Sequence, residues 1–207
     1  RRATASQLRR FYETWYRPDL MAVVAVGDFD PAAMERTIRE RFAALRMRAS
    51  APPRPATAVP GHAETLVSVA TDPEETSTVV SLLYKRDPAA ARTVSDARRE
   101  MVESLYDQML NARLYELAQR PDAPFLGAGS SKGRFLRAKD AYSLGAAVAD
   151  SGVRRGLEAL LVEAARVERH GFAASELARA KADLLRGMER AYAERDKTVS
   201  AAFADAY

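Results

Sequence analysis

The first hydrophobic pattern is a helix-like stripe followed by an unbroken apolar run. Thr4 and Ser6 both suit a helix N-cap, and four apolar residues follow at the spacing of one helical face: Leu8, Phe11, Tyr12 and Trp15. Pro18 should end this helix, because proline disfavours helical geometry in the residue before it. Residues 20–26 are continuously apolar and rich in valine, which predicts a strand buried on both faces.

A second helix and a linker are predicted next. Asp30 followed by Pro31 gives an N-cap and a first helical residue, and the apolar stripe behind them comprises Met34, Ile38, Phe42 and Leu45. Residues 48–61 combine prolines with small residues and show no periodicity. This composition predicts an extended, semi-rigid linker and therefore a domain boundary.

Two strands and a long helix are predicted after the linker. Residues 65–70 and 77–84 have strand-like composition, and residues 72–75 between them are typical of a turn. Thr93 begins a capping-box pattern. It predicts the start of an amphipathic helix that runs to about Gln119.

The last third of the chain predicts two more strands and two more helices. Residues 125–135 and 141–149 have strand-like patterns, and a helix from Val153 should end at Gly171, where glycine suits the left-handed position. A final helix of about 32 residues, spanning about 48 Å, should begin near Ser175. Paired strands followed by helices predict an α+β fold, with helices packed on one face of the sheet.

Composition and charge narrow the function classes. The 207 residues are 47% hydrophobic and 29% charged, as in ordinary globular proteins, and no apolar run reaches the roughly 18 residues of a membrane span. The net charge of +4 comes mostly from arginine, and the arginine pairs lie among acids on predicted helical faces. This distribution favours solvated helix surfaces over nucleic-acid recognition.

Without cysteine, disulfides and thiolate metal sites are excluded in this sequence. The non-Met start and a helical pattern that runs to the last residue indicate a piece of a longer protein.

The sequence offers few candidate catalytic, metal-binding or phosphate-binding residues. His62 and His170 are the two histidines, and neither has a second histidine four residues on, so surface or capping roles are expected rather than metal binding. Ser130 and Ser131 lie in a Gly-Ser-Ser-Lys-Gly run that differs from a phosphate loop, because lysine precedes the last glycine and no Ser or Thr follows. A flexible or bulged strand is expected there. The residues alone therefore predict no self-contained active site.

A family resemblance rests on residues 8–30, LRRFYETWYRPDLMAVVAVGDFD. A polar–aromatic helix, Tyr-Arg-Pro-Asp-Leu-Met, a valine-rich strand and Gly-Asp together resemble the pitrilysin/insulinase family of zinc metallopeptidases. The order of the other elements agrees over essentially the whole chain. It includes Arg113-Leu114 in the long helix, and residues 171–177 before the last helix resemble the family's Gly-hydrophobic-x-x-x-Glu-Leu.

The resemblance implies a repeated α+β domain of the LuxS and mitochondrial processing peptidase type, an antiparallel sheet covered by helices. The first domain of each pair carries H-x-x-E-H and binds zinc, and that motif does not occur in this sequence. Residues 1–47 would then end a zinc-type domain, residues 48–61 would form the linker, and residues 62–207 would be most of a zinc-free domain. Zinc is expected in the parent protein and none in this segment, which should be inactive alone.

The resemblance also implies a function and candidate contacts. The chain would be a non-catalytic segment of a bacterial zinc metalloendopeptidase that helps form a peptide-binding chamber; the alternative is an inactive scaffold or partner subunit of the same fold. Many members carry Leu-Arg-Glu-x-x-Gly-Leu-Ala-Tyr after the Arg-Leu pair, and its Arg and Tyr reach the substrate. Here residues 117–119 are Leu-Ala-Gln, so this sequence departs from the pattern. Phe125 falls near the tyrosine, and Phe125 and Arg120 are the predicted substrate-binding residues.

Partners and location follow from the same resemblance. A peptide or unfolded polypeptide substrate and other domains of the parent chain are expected as partners, without nucleic acid. Residues 117–125 are similar to the longer cell-envelope members of the family. A periplasmic or cell-envelope location is therefore expected.

Overall fold

The structure is a computed structural model that describes residues 3–46, 52–55, 57–89 and 91–205. The chain divides into two compact units. Unit 1 comprises Arg1–Ala56 and Arg190–Tyr207, and unit 2 comprises Thr57–Glu189. None of the helices formed by the described residues is both long and apolar enough to cross a membrane.

Unit 1 begins with the first predicted helix, α1, at Ala5–Trp15. Thr4 is its N-cap in a capping box: the Gln7 amide donates to Thr4 Oγ1 at 3.3 Å, and the Thr4 amide donates to Gln7 Oε1 at 2.9 Å. The helix ends before Pro18, and a short 3-10 turn follows at Pro18–Leu20. The predicted start and end of this helix are confirmed.

The second helix, α2, spans Pro31–Phe42 and begins as predicted. Asp30 caps it by accepting the Ala33 amide at 2.8 Å. Between the helices, Arg17 is buried, and its guanidinium donates to the Pro52 carbonyl at 2.5 Å. The arginine of the Tyr-Arg-Pro-Asp motif therefore fixes the local path of unit 1.

The strand predicted at residues 20–26 is wrong. Residues 21–26 have no regular secondary structure, and Val23 and Val24 are 49% and 45% exposed. A strand exists only when a neighbour satisfies its backbone groups, and the described part of the chain supplies no partner here. The apolar run identifies a segment whose side chains favour burial, but it does not show which other segment would bury them.

The linker prediction falls partly on residues outside the described ranges. Residues 48–51 and 56 are not described, and residues 52–55 and 57–61 have no regular secondary structure. The predicted domains at 1–47 and 62–207 include the undescribed residues 1, 2, 47, 90, 206 and 207. Both boundaries stay predictions.

Unit 2 contains a three-stranded antiparallel sheet. Its strands are β1 (Thr78–Arg86), β2 (Gly127–Leu136) and β3 (Lys139–Val148), in the order β1-β3-β2. Leu144 of the central strand pairs with Leu82 on one side and Ser130 on the other. These strands confirm three of the predicted strands and the antiparallel α+β fold.

The other strand predicted in this region, at residues 65–70, is wrong. The turn at residues 72–75 is present, with the Glu75 amide donating to the Asp72 carbonyl at 3.1 Å. However, residues 65–70 pair with no described strand, and Val67 and Val69 are 85% and 84% exposed. β-Branched residues favour strands by packing against neighbours, and this segment has none in the described chain.

Three long helices begin close to the positions that the sequence predicts. They are α3 (Val94–Ala118), α4 (Val153–His170) and α5 (Ala174–Ala193). The capping box of α3 at Thr93 is present, and α4 ends at Gly171 with a φ of 65°, a left-handed value that glycine adopts without strain.

The single final helix of about 32 residues is wrong. The α5 helix has 20 residues, and it is followed by a 3-10 turn at Arg195–Lys197 and a short helix α6 at Ser200–Asp205. Residues 196–200 read Asp-Lys-Thr-Val-Ser, and four of these five residues are poor helix formers. Thr198 is extended, with a ψ of 124°.

The core of unit 2 lies between the sheet and two helices, because α3 packs on β2 and α4 packs on β3 and β1. The buried cluster comprises Leu110, Leu114, Phe125, Leu144, Ala146, Val148, Leu160 and Val167. A Cβ at Gly156 of α4 would lie 2.5 Å from Val148 Cγ1, so only glycine permits this approach.

The other face of the sheet is formed by the alternate residues of each strand. On β2 and β3 this face carries small residues such as Gly129, Ser131, Ser143 and Gly145.

Candidate functional site

One polar cluster joins the three long helices of unit 2. Arg113 of α3 donates to both carboxylate oxygens of Glu176 at 2.6 and 2.8 Å, and to Glu163 of α4 at 3.1 Å. The same guanidinium donates to the Gly171 carbonyl at 3.1 Å and lies 4.8 Å from the ring centroid of Phe172. We call Arg113, Glu163, Glu176, Gly171 and Phe172 the Arg113 cluster.

The two carboxylates of the Arg113 cluster are balanced by Arg113 and by Arg166, which lies outside the cluster. Glu163 is only 2% exposed, so its charge depends on Arg113 and on Arg166, which lies 3.2 Å away. Hydrogen bonding to Arg113, followed by a bond from the Ala173 amide, lowers the pKa of Glu176 to about 2 against the opposing effect of burial. The hydrogen bonds that Arg113 donates to Glu176 in turn raise the pKa of Arg113 above its ordinary value. The cluster is a structural clamp.

A groove of about 870 Å³ lies beside this cluster, between the C-terminal halves of α3 and α4. Its rim carries Arg120, Arg166, Arg169, His170 and Glu116, and the Arg113 cluster forms its floor. Arg120 and Arg169 have no carboxylate partner among the described residues, and Glu116 has no cationic one. The groove is therefore a charged surface of unit 2 whose rim carries arginines without a carboxylate partner in the described chain.

The two predicted substrate-binding residues lie in different environments. Arg120 lies on the rim of the groove, whereas Phe125 is 3% exposed and packs in the core with Leu114 and Leu160. The structure does not bring them to one surface. Their role as substrate contacts stays a prediction.

A second polar cluster covers the free edge of β2. The Asn111 side-chain amide donates to the Ser130 carbonyl at 3.0 Å, and the Ser130 amide donates to Asn111 Oδ1 at 2.6 Å. The Ser130 hydroxyl donates to Asp107 at 2.6 Å. Burial raises the pKa of nearby Tyr142, with Tyr106 adding to the effect. Asn111 therefore takes the place of a neighbouring strand at this point of the edge.

The Ser130 region offers no nucleophile. Its hydroxyl is paired with a carboxylate rather than a histidine, and Ser131 Oγ lies 3.0 Å from Ser143 Oγ on the other face of the sheet. An adjacent cavity of about 530 Å³ contains the ion pairs Lys132–Glu103 and Arg134–Asp140. The strand has a register shift after Arg134. The predicted bulged strand, rather than a phosphate loop, is confirmed.

The histidines lie apart from each other. His62 Nδ1 is 2.6 Å from the Glu64 carbonyl on an exposed segment, and His170 is the last residue of α4. Within the described ranges, no three residues of the His, Cys, Asp and Glu types are grouped as metal ligands.

Sequence reasoning named Arg113, Gly171, Phe172 and Glu176 only as parts of two separate family motifs, and it missed Glu163 and Asn111. Glu163 and Glu176 follow Arg113 by 50 and 63 positions, and Asn111 precedes Ser130 by 19. No local motif links such positions. The available signal was a charged residue, Glu163, at a position where the periodicity of α4 predicts a buried face.

Comparisons with known proteins agree with the fold and with the motif. The chain matches the Peptidase M16 inactive domain over residues 2–184. A zinc protease PQQL-like protein of Arabidopsis thaliana is 32% identical over 208 residues, which cover 100% of this chain and 19% of that protein. The probable zinc protease PqqL of Escherichia coli is 28% identical over 200 residues, 93% of this chain and 21% of that protein.

A solved structure shows the same fold. The periplasmic protease PqqL from Escherichia coli superposes with a TM-score of 0.73 at 23% identity, over 98% of this chain and 22% of that one. The chain thus spans about a fifth of the length of these relatives. Because the family match covers most of the sequence, the chain belongs to the peptidase M16 inactive-domain family, which confirms the resemblance to the insulinase-type metallopeptidases.

Proposed function

We propose that this chain is a non-catalytic segment of a zinc-dependent metalloendopeptidase and forms part of the wall of its peptide-binding chamber. The relatives are named zinc proteases, which supports zinc in the parent. The H-x-x-E-H motif does not occur in this sequence, so the catalytic zinc would be held by another part of the parent. A periplasmic or cell-envelope location is proposed because one related structure is a periplasmic protease.

The observation that carries the chamber-wall proposal is the sheet face opposite α3 and α4. It carries Gly129, Ser131 and Gly133 on β2 beside Ser143 and Gly145 on β3. An added Cβ at Gly133 would meet no atom within 4 Å. Small side chains let the backbone of an extended polypeptide approach a surface closely. This face therefore suits contact with unfolded peptide of varied sequence.

The domain organisation is part of the same proposal. In unit 1, Met21, Val23 and Val24 are all about half exposed, although apolar residues of this kind are normally covered. We propose that residues 1–47 end the zinc-type domain, whose sheet would supply this cover. Residues 48–61 then link it to a zinc-free domain that begins near residue 62.

Peptide cleavage by the parent protein tests the chamber wall. Ser131→Trp places a bulky ring on the small-residue face, and Ser175→Trp makes the same change at an exposed position in the first turn of α5. We expect Ser131→Trp to lower kcat/KM at least tenfold, about 1.4 kcal/mol, mainly through KM. Ser175→Trp should leave it within about twofold, which is under 0.5 kcal/mol. Equal effects of the two variants, at equal thermal stability, would contradict the wall.

The inactive-scaffold alternative is decided by the parent sequence before residue 1. H-x-x-E-H in that sequence supports the peptidase, whereas a degenerate motif supports the scaffold. The small-residue face would then contact a folded partner, and the parent would show no hydrolysis that the tryptophan variants could lower.

A further inference from the structure

We infer that the groove between α3 and α4 is a docking surface for an acidic polypeptide segment of another molecule. This groove belongs to the helical layer of unit 2, whereas the small-residue face belongs to the sheet. The inference is therefore independent of the proposed chamber wall.

The carboxylates on the floor of the groove are already neutralised by Arg113 and by Arg166 of the rim. Glu176 and Glu163 are both held by Arg113, and Glu163 also contacts Arg166. These four side chains carry two positive and two negative charges at distances of 2.6 to 3.2 Å. An incoming ligand thus meets no uncompensated carboxylate on the floor.

The rim carries the excess positive charge. Arg120 and Arg169 contact no carboxylate in the described part of the chain, and Glu116 is the rim acid that opposes them. Four arginines against three glutamates leave the groove with a net charge of +1. Two guanidinium groups without carboxylate partners, one just after α3 and one in α4, can pair with two carboxylates on one segment.

Helix capping explains part of this arrangement and leaves part unexplained. Arg169 and His170 lie in the last turn of α4, where a cation stabilises the helix end. That account treats each helix separately. It does not explain why Arg120, which follows the end of α3, lines the same groove as Arg166 and Arg169.

The size of the groove suits a ligand larger than a single ion. A volume of about 870 Å³ falls in the range of pockets that hold drug-sized ligands, about 300–1,000 Å³. Phe172 lines the same surface and adds an apolar side chain to it. The occupant that fits these features is an extended segment with at least two Asp or Glu residues.

The test uses the complete 207-residue chain and a fluorescent peptide of alternating Glu and Gly. We expect binding by anisotropy that weakens as salt rises, and no binding of the matching Gln-Gly peptide. Arg120→Ala with Arg169→Ala should weaken binding at least tenfold. The control, Arg36→Ala with Arg98→Ala, removes the same charge from exposed positions outside the groove. It should leave affinity within about twofold, because salt screens charges that lie far from the bound peptide.

A variant that is expected to tighten binding distinguishes a specific docking site from a general loss of folding. Glu116→Gln removes the opposing rim charge and should tighten binding about two- to threefold, as expected for one partly screened charge. The inference is overturned by equal loss in both double-arginine variants, or by weaker binding of Glu116→Gln. Equal binding of the Gln-Gly peptide would overturn it too. Self-association of the chain that is abolished by Arg120→Ala with Arg169→Ala would replace the acidic partner with a second copy, and would also overturn it.

Discussion

At Arg113, one guanidinium pairs with two carboxylates and a carbonyl from separate parts of unit 2. Glu163 is almost fully buried, so its charge has little access to water. Removing one partner of a buried pair leaves an uncompensated charge, which costs much more than the pair itself contributes. The Arg113 cluster is therefore where a single substitution should cost the most stability.

Replacing Arg113 tests this directly. Arg113→Ala should lower the free energy of unfolding by about 3 kcal/mol or more, because Glu163 keeps a buried charge with a weaker partner. Arg166→Ala removes the other arginine on Glu163, whose side chain is 56% exposed, and should cost under about 1 kcal/mol. Urea denaturation of both variants gives the comparison. Similar losses would show that the burial of Glu163 is unimportant.

Glu176 gives a pH dependence with a defined sign. Its pKa is about 2 in the folded chain against 4.5 ordinarily, so the folded state favours the charged form. The stability that Glu176 contributes is therefore fully present above pH about 4.5 and is lost as the pH falls towards 2.

The matched variant for this prediction is Glu176→Gln, which cannot titrate. The wild-type chain should be more stable than Glu176→Gln at pH 7, and the two stability curves should converge between pH 4.5 and 2. Thermal unfolding at a series of pH values measures the gap. A gap that stays constant over this range would exclude a titrating Glu176–Arg113 pair.

At the scale of elements, the closest approach of α4 to β3 depends on Gly156. Alanine normally stabilises a helix interior relative to glycine by about 1 kcal/mol. At Gly156 the added Cβ would lie 2.5 Å from Val148, whereas at Gly187 of α5 it would meet nothing within 4 Å. The two glycines are therefore an internal comparison of propensity and packing.

The same substitution should have opposite effects at these two sites. Gly156→Ala should destabilise unit 2 by about 1–3 kcal/mol, the cost of overpacking a core, and Gly187→Ala should stabilise the chain by about 0.5–1 kcal/mol. Chemical denaturation measures both. Stabilisation by Gly156→Ala would mean that α4 can move away from the sheet at little cost.

The sequence predicts elements well where their partners lie in the same unit. Residues 77–84, 125–135 and 141–149 form strands because each has a neighbouring strand and a helical layer over one face. Residues 20–26 and 65–70 have equally strong strand composition but no strand partner in the described chain. Periodicity and composition report what a segment can form, whereas pairing depends on what lies beside it.

Functional sites are harder to predict than elements for a related reason. The residues that identified the family, such as Tyr16, Arg17 and Pro18, are consecutive and readable as a motif. The Arg113 cluster and the Asn111–Ser130 contact join positions that only the fold brings together. Arg120 was found because of a family pattern. Arg166 and Arg169, on the same groove, have no sequence signal that separates them from other surface arginines.

At the scale of the whole molecule, the chain is proposed to be one non-catalytic part of a zinc peptidase. The measurement that tests this most directly is zinc content with peptide hydrolysis, for the isolated 207-residue chain and for the parent protein. We expect the parent to contain one zinc per molecule and to hydrolyse peptide in a reaction that a chelator abolishes. We expect the isolated chain to contain only substoichiometric zinc and to hydrolyse nothing. One tightly bound zinc per isolated chain, together with hydrolysis that a chelator abolishes, would contradict it.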